Sequence, residues 1–177
     1  MAYRHQTVLG LTHHRGRPGF PYTWVLVDKN PPVENVTVWQ RDAENGSWFP
    51  LQFSPANTGI DHSTPDGSWP IVMRLKTGCM KGQTPTRIHY DDPDVHWINY
   101  FYGNIAVHGY RRAAYGFPQS AGCVELPLPS ARAIFRLVHD GTIVTVVGRW
   151  QTPPRNGWSF ATLIPRWPCC RVNRPDT

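Results

Sequence analysis

Frequent chain-breaking residues are the feature that most limits what this chain can fold into. The 177 residues include 18 prolines and 15 glycines, and these residue types interrupt helices and mark turns. The stretches between them are short and rich in β-branched and aromatic residues, which is typical of short strands. We therefore expect a mainly β protein, a sandwich or a barrel, in one domain large enough for a real core.

Short apolar runs between turn residues predict where the strands lie. The turn chemistry of Glu44 to Ser47 predicts a hairpin from the second strand into Trp48-Phe49. Pro70 predicts that its strand begins there or lies at a sheet edge. The run at 142–147 is apolar at most positions and predicts a strand buried on both faces. The predicted strands are 23–27, 36–39, 68–75, 96–102, 105–108 and 142–147.

One segment is a good helix candidate, from Pro129 to about Val138. Proline suits the first helical position, and Gly141 ends the segment. The apolar residues that fall on one face of this helix are Ala131, Ile134, Phe135 and Val138. We divide the chain into an N-terminal extension at 1–33, irregular apart from its strand, a domain at 34–150, and a tail at 151–177 rich in Pro, Arg and Trp.

Charge and hydropathy exclude several classes of function. The net charge of +6 suits an anionic partner, but the basic residues do not cluster with aromatic residues as in nucleic-acid-binding proteins. No stretch approaches the roughly 20 apolar residues that span a membrane, and the N-terminus lacks the apolar core of a secretory signal. We expect no membrane span and no nucleic-acid partner, and take a monomer as the default oligomeric state.

The four cysteines are Cys79, Cys123, Cys169 and Cys170. None forms a CxxC pair, so we do not expect a zinc site. We also expect no other metal and no cofactor. The adjacent Cys169 and Cys170 could pair with Cys79 or remain free thiols, and the sequence slightly favours free thiols.

Cys123 and His108 are the strongest candidates for catalytic residues. A cysteine nucleophile needs a base and hydrogen-bond donors for the oxyanion that forms on attack. His108 ends a predicted strand, and the Gly109 carbonyl can orient its imidazole. Gly122 lets a substrate carbonyl approach the backbone beside Cys123. The Cys123 N–H can donate a hydrogen bond to the oxyanion. By spacing alone, one cysteine and one histidine are at least as often structural as catalytic.

The segments around these residues resemble the signature of the L,D-transpeptidase (YkuD-like) catalytic domain family. That pattern is His-Gly, a loop of a dozen or so residues, and Ser-His-Gly-Cys; here it reads IAVHG at 105–109 and YGFPQSAGCVEL at 115–126. Thr58-Gly59 with the TPDG at 64–67 resembles the family's TG…TPxG turn, and 95–101 resembles its aromatic strand. The resemblance is good over 56–148 and loose over 36–55.

The resemblance implies a mainly β sandwich with one short helix after the catalytic cysteine, acting on peptidoglycan outside the cytoplasmic membrane. Cys123 would attack a tetrapeptide stem and release D-alanine, and His108 would transfer the protons. The Gly109 carbonyl would orient His108, with Gly122 in the oxyanion region and Ser120 in support. Carbapenems would be inhibitors. The residues expected to contact the substrate are Arg111, Arg112, Tyr115, Trp97 and Tyr100.

Two positions depart from the family pattern. Ala121 stands where a second histidine is usual, and Glu125 where Arg or Asn is common. Because Cys123 and His108 remain, we expect these changes to alter the acceptor or the rate. Two alternatives stay open: an L,D-carboxypeptidase with water as acceptor, and a non-catalytic wall-binding module. A papain-like peptidase fits less well, since its cysteine precedes its histidine in the chain.

Overall fold

The computed structural model describes residues 22–30 and 32–148. Sheet A has the strand order β3-β2-β1-β9-β4, and sheet B the order β5-β6-β7-β8. The elements of the described residues are β1 Thr23–Asp28, β2 Asn35–Arg41, β3 Trp48–Pro55, a 3-10 turn Ile60–His62, β4 Gly67–Pro70, β5 Met73–Gln83, β6 His89–Tyr102, β7 Ile105–Gly109, β8 Val124–Leu126, α1 Leu128–Leu137 and β9 Ile143–Val147. The predicted mainly β class is confirmed.

The two sheets meet in one core, which makes the fold a sandwich. Alternate valines of sheet A face inward, among them Val25, Val38 and Val144, all at most 1% exposed. Phe101 and Leu126 of sheet B, both fully buried, belong to the same cluster. Each such side chain contributes roughly 1.5–3 kcal/mol by leaving water.

The predicted first strand lies in the middle of sheet A. β1 pairs antiparallel with β2 and parallel with β9. Trp24 also donates its indole N–H to Thr145 Oγ1 at 2.8 Å. This strand lies upstream of the domain boundary that we place at residue 34, so the folded sheet includes part of the segment assigned to the N-terminal extension. The predicted hairpin from β2 into β3 is present.

The single strand predicted at 68–75 is wrong, because the chain changes sheets there. β4 lies at the edge of sheet A, one of the two alternatives that the proline predicts; it ends at Pro70, and β5 starts at Met73 in sheet B. Between them the Ile71 N–H donates to Thr142 O and the Val72 N–H to Tyr100 O. Consecutive backbone N–H groups thus bond to the residue before β9 of sheet A and to β6 of sheet B.

The prediction that 142–147 is buried on both faces is also wrong. Val144 and Val146 of β9 are buried, but Ile143 and Thr145 are only half-buried and Val147 is exposed. The half-buried residues lie on the outer face of sheet A, so β9 contributes one face to the core.

The predicted helix is confirmed as α1. The helix begins at Leu128, so Pro129 is its second residue and not its first. Neither position uses its backbone N–H in a hydrogen bond within the helix. Ala131 and Ile134 are buried. The helix packs against β6 and β7, next to the strand that carries His108.

Candidate active site

The pairing of β7 with β8 brings the predicted histidine and cysteine to one face of sheet B. The parallel register sets Val107 opposite Val124 and His108 opposite Glu125. Side chains alternate along strands, so His108, Glu125 and Cys123, which directly precedes β8, share a face. Val107 and Val124 point the other way, into the core. His108 and Cys123 are therefore diagonal neighbours.

His108 is held in the form that a general base requires. Its Nδ1 lies 3.2 Å from the Gly109 carbonyl oxygen, which only accepts, so Nδ1 carries the proton and Nε2 is left with its lone pair. Burial lowers the pKa of His108, and the opposing effects of Glu125, the Gly109 hydrogen bond and Asp92 do not outweigh it. The imidazole is thus neutral at pH 7.

Gly109 also has a packing role. A Cβ atom on this residue would lie 2.8 Å from Leu128 Cδ2 and 3.1 Å from Ala131 Cβ, both on α1. A side chain at this position would therefore require Leu128 to move and would crowd Ala131, so glycine suits the close contact between β7 and the helix.

Cys123 is a protonated thiol at rest. The residue is half-buried, and its Sγ lies 3.7 Å from the Asn104 carbonyl oxygen, to which the thiol donates. Burial raises the pKa of Cys123 to about 12, Glu125 adds to the rise, and a backbone hydrogen bond from Ala106 opposes it. With His108 neutral as well, the resting pair is thiol and imidazole, not thiolate and imidazolium. Proton transfer must accompany nucleophilic attack.

This resting state predicts the pH dependence of Cys123 alkylation. Because the pKa of the thiol is raised, the rate constant with iodoacetamide should rise about tenfold per pH unit from pH 7 to 9, without a plateau. Peptide-level mass spectrometry would follow modification at Cys123, with Cys123→Ala as the background. A plateau below pH 8 would instead indicate a stabilised thiolate.

Two tyrosines lie beside the thiol. Tyr100, predicted as a substrate contact, is buried in the same small cluster that Cys123 packs against, and Tyr90 flanks that cluster. Burial, then the nearby Cys123, raises the pKa of Tyr100 to about 12 and raises that of Tyr90. Both phenols remain protonated donors near neutral pH. The sequence did not predict Tyr90 as a site residue, because the strand was predicted to begin only at residue 96. Tyr90 and Tyr100 are an even number of residues apart, and a longer predicted strand would have placed both on one face.

Trp97 lies elsewhere. It has a positive φ of 58°, and its ring packs 5.5 Å from that of Phe135 on α1, with the Arg132 guanidinium 5.7 Å from its centre. The structure brings Trp97 to the helix and the main core, not to the cluster around Cys123.

The loop after β7 contains the other predicted substrate contacts. Arg112 makes two hydrogen bonds to Glu125, Nε to Oε2 at 2.7 Å and Nη2 to Oε1 at 2.8 Å. Its guanidinium also stacks over Tyr110 at 4.7 Å. The Tyr115 hydroxyl accepts from the Arg112 N–H and donates to the Tyr110 carbonyl. Arg112 and Tyr115 are thus engaged within the protein, whereas Arg111 is exposed.

Ser120 and Gly122 shape the backbone at the nucleophile. The Ser120 hydroxyl donates to the Cys123 carbonyl at 2.6 Å and accepts from the Gly122 N–H at 3.0 Å. Gly122 has a φ of +142°, and a Cβ atom there would lie 3.2 Å from the Ser63 carbonyl oxygen. Its backbone conformation and its close neighbour both favour glycine.

Cys79 is disulfide-bonded, so the expectation of a free thiol is wrong there. Cys169 and Cys170 lie outside the described residues. Within 22–30 and 32–148, no group of three potential ligands is arranged to hold a metal ion. No helix in the same ranges is long and apolar enough to cross a membrane.

The sequence from residue 22 to 146 matches the family model YkuD, described as the L,D-transpeptidase catalytic domain. The chain belongs to this family. No protein of curated function matches it. The YkuD match begins just before β1 and ends within β9, and so includes both sheets, His108 and Cys123.

Solved structures of L,D-transpeptidases share the fold. An L,D-transpeptidase from Mycobacterium smegmatis is 21% identical with a TM-score of 0.58, over 71% of this chain and 59% of that one. A mutant of the Enterococcus faecium enzyme is 19% identical with a TM-score of 0.57, over 72% and 50%. L,D-transpeptidase 3 from Mycobacterium tuberculosis is 20% identical with a TM-score of 0.56, over 71% and 61%. The chain thus spans roughly half to three fifths of these proteins.

Proposed function

We propose that this chain is a peptidoglycan L,D-transpeptidase that works through a Cys123 thioester in the cell envelope. The observation that carries the proposal is the placement of His108 and Cys123 on one face of sheet B, with the His108 tautomer set by the Gly109 carbonyl. Membership of the YkuD family supplies the substrate class.

The first half-reaction forms the acyl-enzyme. His108 Nε2 takes the thiol proton as Sγ attacks the carbonyl of the third residue of a tetrapeptide stem, and an S–C bond forms. The C–N bond to the terminal D-alanine then breaks, and His108 returns the proton to the leaving amine. Because the thiol and the imidazole are both neutral at rest, the proton moves from Sγ to Nε2 as the S–C bond forms.

The second half-reaction transfers the acyl group. An acceptor amine attacks the thioester carbonyl and His108 removes a proton from that amine. The C–S bond then breaks, and His108 passes the proton to Sγ, which restores the thiol. With an amine from a second stem the product is a cross-link. With water the same residues would act as an L,D-carboxypeptidase, and without any acylation the domain would be a wall-binding module.

Intact mass spectrometry of the protein with a tetrapeptide stem tests the proposal, with Cys123→Ala as the matched control. We expect an adduct of the stem without its D-alanine on the wild-type protein only, and a cross-linked product when an amine-bearing stem is added. A shortened tripeptide without cross-link would indicate hydrolysis. An absence of both adduct and released D-alanine would contradict the enzymatic function and favour wall binding.

A further inference from the structure

The Thr64 side chain bridges two loops behind the nucleophile. Thr64 is fully buried; its hydroxyl accepts from the Gly59 N–H and donates to the Gly122 carbonyl, each at 2.7 Å. The direction of both bonds is fixed, since an N–H only donates and a carbonyl only accepts. One hydroxyl thus ties the backbone of the turn at 59–64 to the residue before Cys123.

The turn is pressed directly against the nucleophile loop. A Cβ atom on Gly59 would lie 2.1 Å from Ser63 Oγ, 2.7 Å from Gly122 Cα and 3.0 Å from Gly122 N, so only a glycine at 59 lets the turn come this close to the Gly122 backbone. Lys29 secures the turn from outside, donating to the Thr64 carbonyl at 2.8 Å and pairing with Asp66 at 2.9 Å. Lys29 therefore links the backbone of Thr64 to Asp66.

Holding the Gly122 carbonyl fixes the direction of the next N–H. The peptide unit is planar and trans, so the Cys123 N–H points away from the side on which Thr64 holds the Gly122 oxygen. The neighbouring groups are occupied, because Ser120 bonds both the Gly122 N–H and the Cys123 carbonyl. Among the described residues, the Cys123 N–H takes part in no ladder or loop hydrogen bond.

We propose that Thr64 is a positioning residue for the oxyanion site: through its bond to the Gly122 carbonyl, it aims the Cys123 N–H at the oxyanion that forms when Cys123 attacks a substrate carbonyl. This inference rests on the proposed function. Thr64 touches no reacting atom. It acts by holding the Cys123 N–H in the orientation that the transition state needs, so this donor does not have to reorient during the reaction.

The test compares two reactions of the same sulfur. Acylation by imipenem passes through an oxyanion, whereas alkylation by iodoacetamide does not. Thr64→Val keeps the shape of the side chain and removes the hydroxyl, and Thr64→Ser is the matched control that keeps the hydroxyl. We expect Thr64→Val to slow acylation about 10- to 100-fold, to change alkylation less than about threefold, and Thr64→Ser to restore acylation.

Each outcome decides the proposal. Near-UV circular dichroism checks the fold, and Thr64→Ala replaces Thr64→Val if the latter does not fold. Equal slowing of acylation and alkylation, or no slowing of either, would overturn the role of Thr64 while leaving the cysteine enzyme intact. A wild-type protein that is alkylated by iodoacetamide but acylated by neither imipenem nor a tetrapeptide stem would instead overturn the proposed function, and this inference with it.

Discussion

A His108→Gln variant is expected to form the Cys123 acyl-enzyme about 10²- to 10⁴-fold more slowly than the wild-type protein, the range that a positioned general base contributes. The loss should be large because the pKa of Cys123 is about 12, so very little thiolate exists without a base. Time-resolved mass spectrometry of imipenem acylation would measure it. His96→Gln is the matched control, because His96 lies on the same sheet, partly exposed and hydrogen-bonded to Thr77.

The pH dependence of acylation is a second test of His108 as the base. The reaction needs neutral His108, and burial lowers the pKa of His108 below its ordinary value of 6.5. The wild-type rate should therefore fall only at pH values below 6.5, while His108→Gln should lack this acid limb. Glu125 and Asp92 raise this pKa and Arg112 lowers it, so the limb reports on that network too. A His108→Gln rate within threefold of wild type would place the base elsewhere.

Local sequence signals predicted most of the elements. β1, β2 and α1 follow from an alternating valine run, a hairpin turn and a helical apolar face that each agree with the final packing. His108 and Cys123 were found because two motifs in the right order surround them. That both side chains lie on one face of sheet B follows only from the register of β7 and β8, which no local signal specifies.

Contacts between distant segments account for what sequence reasoning missed. Residues 68–75 look like one continuous strand, but the backbone partners of Ile71 and Val72 are the distant Thr142 and Tyr100. The bond from Thr64 to Gly122 joins residues 58 positions apart. Thr58-Gly59 and the TPDG at 64–67 resemble a family motif. Only the packing shows that Thr64 bonds to the backbone of Gly122.

Glu125 illustrates how a departure from a family pattern acquires a partner. It replaces the Arg or Asn expected at its position, and Arg112 supplies the opposite charge from the loop after β7. Glu125 is 5% exposed, and Arg112 satisfies both of its carboxylate oxygens. The charge of this buried carboxylate is therefore balanced within the protein, beside His108 on the face that carries Cys123.

Arg112→Met is accordingly expected to destabilise the protein by about 3 kcal/mol, near the lower end for a broken buried ion pair because Arg112 is partly exposed. The carboxylate of Glu125 would remain buried without its cation. For a domain of this size the melting temperature should fall by roughly 6–12 °C, as differential scanning calorimetry would measure. The matched control is Arg111→Met, which removes the neighbouring exposed charge and should change stability by less than about 0.5 kcal/mol.

The double variant Arg112→Met/Glu125→Gln separates the ion pair from simple packing. Replacing both charges leaves no unpaired carboxylate, so the double variant should be more stable than Arg112→Met alone.

The pair also has opposing effects on the pKa of His108. Losing Arg112 alone should raise this pKa and move the acid limb of acylation to higher pH. Glu125→Gln alone should lower the pKa and move the acid limb to lower pH. Additive stability losses, with an unmoved acid limb in both single variants, would show that the pair is neither a coupled ion pair nor a determinant of the base.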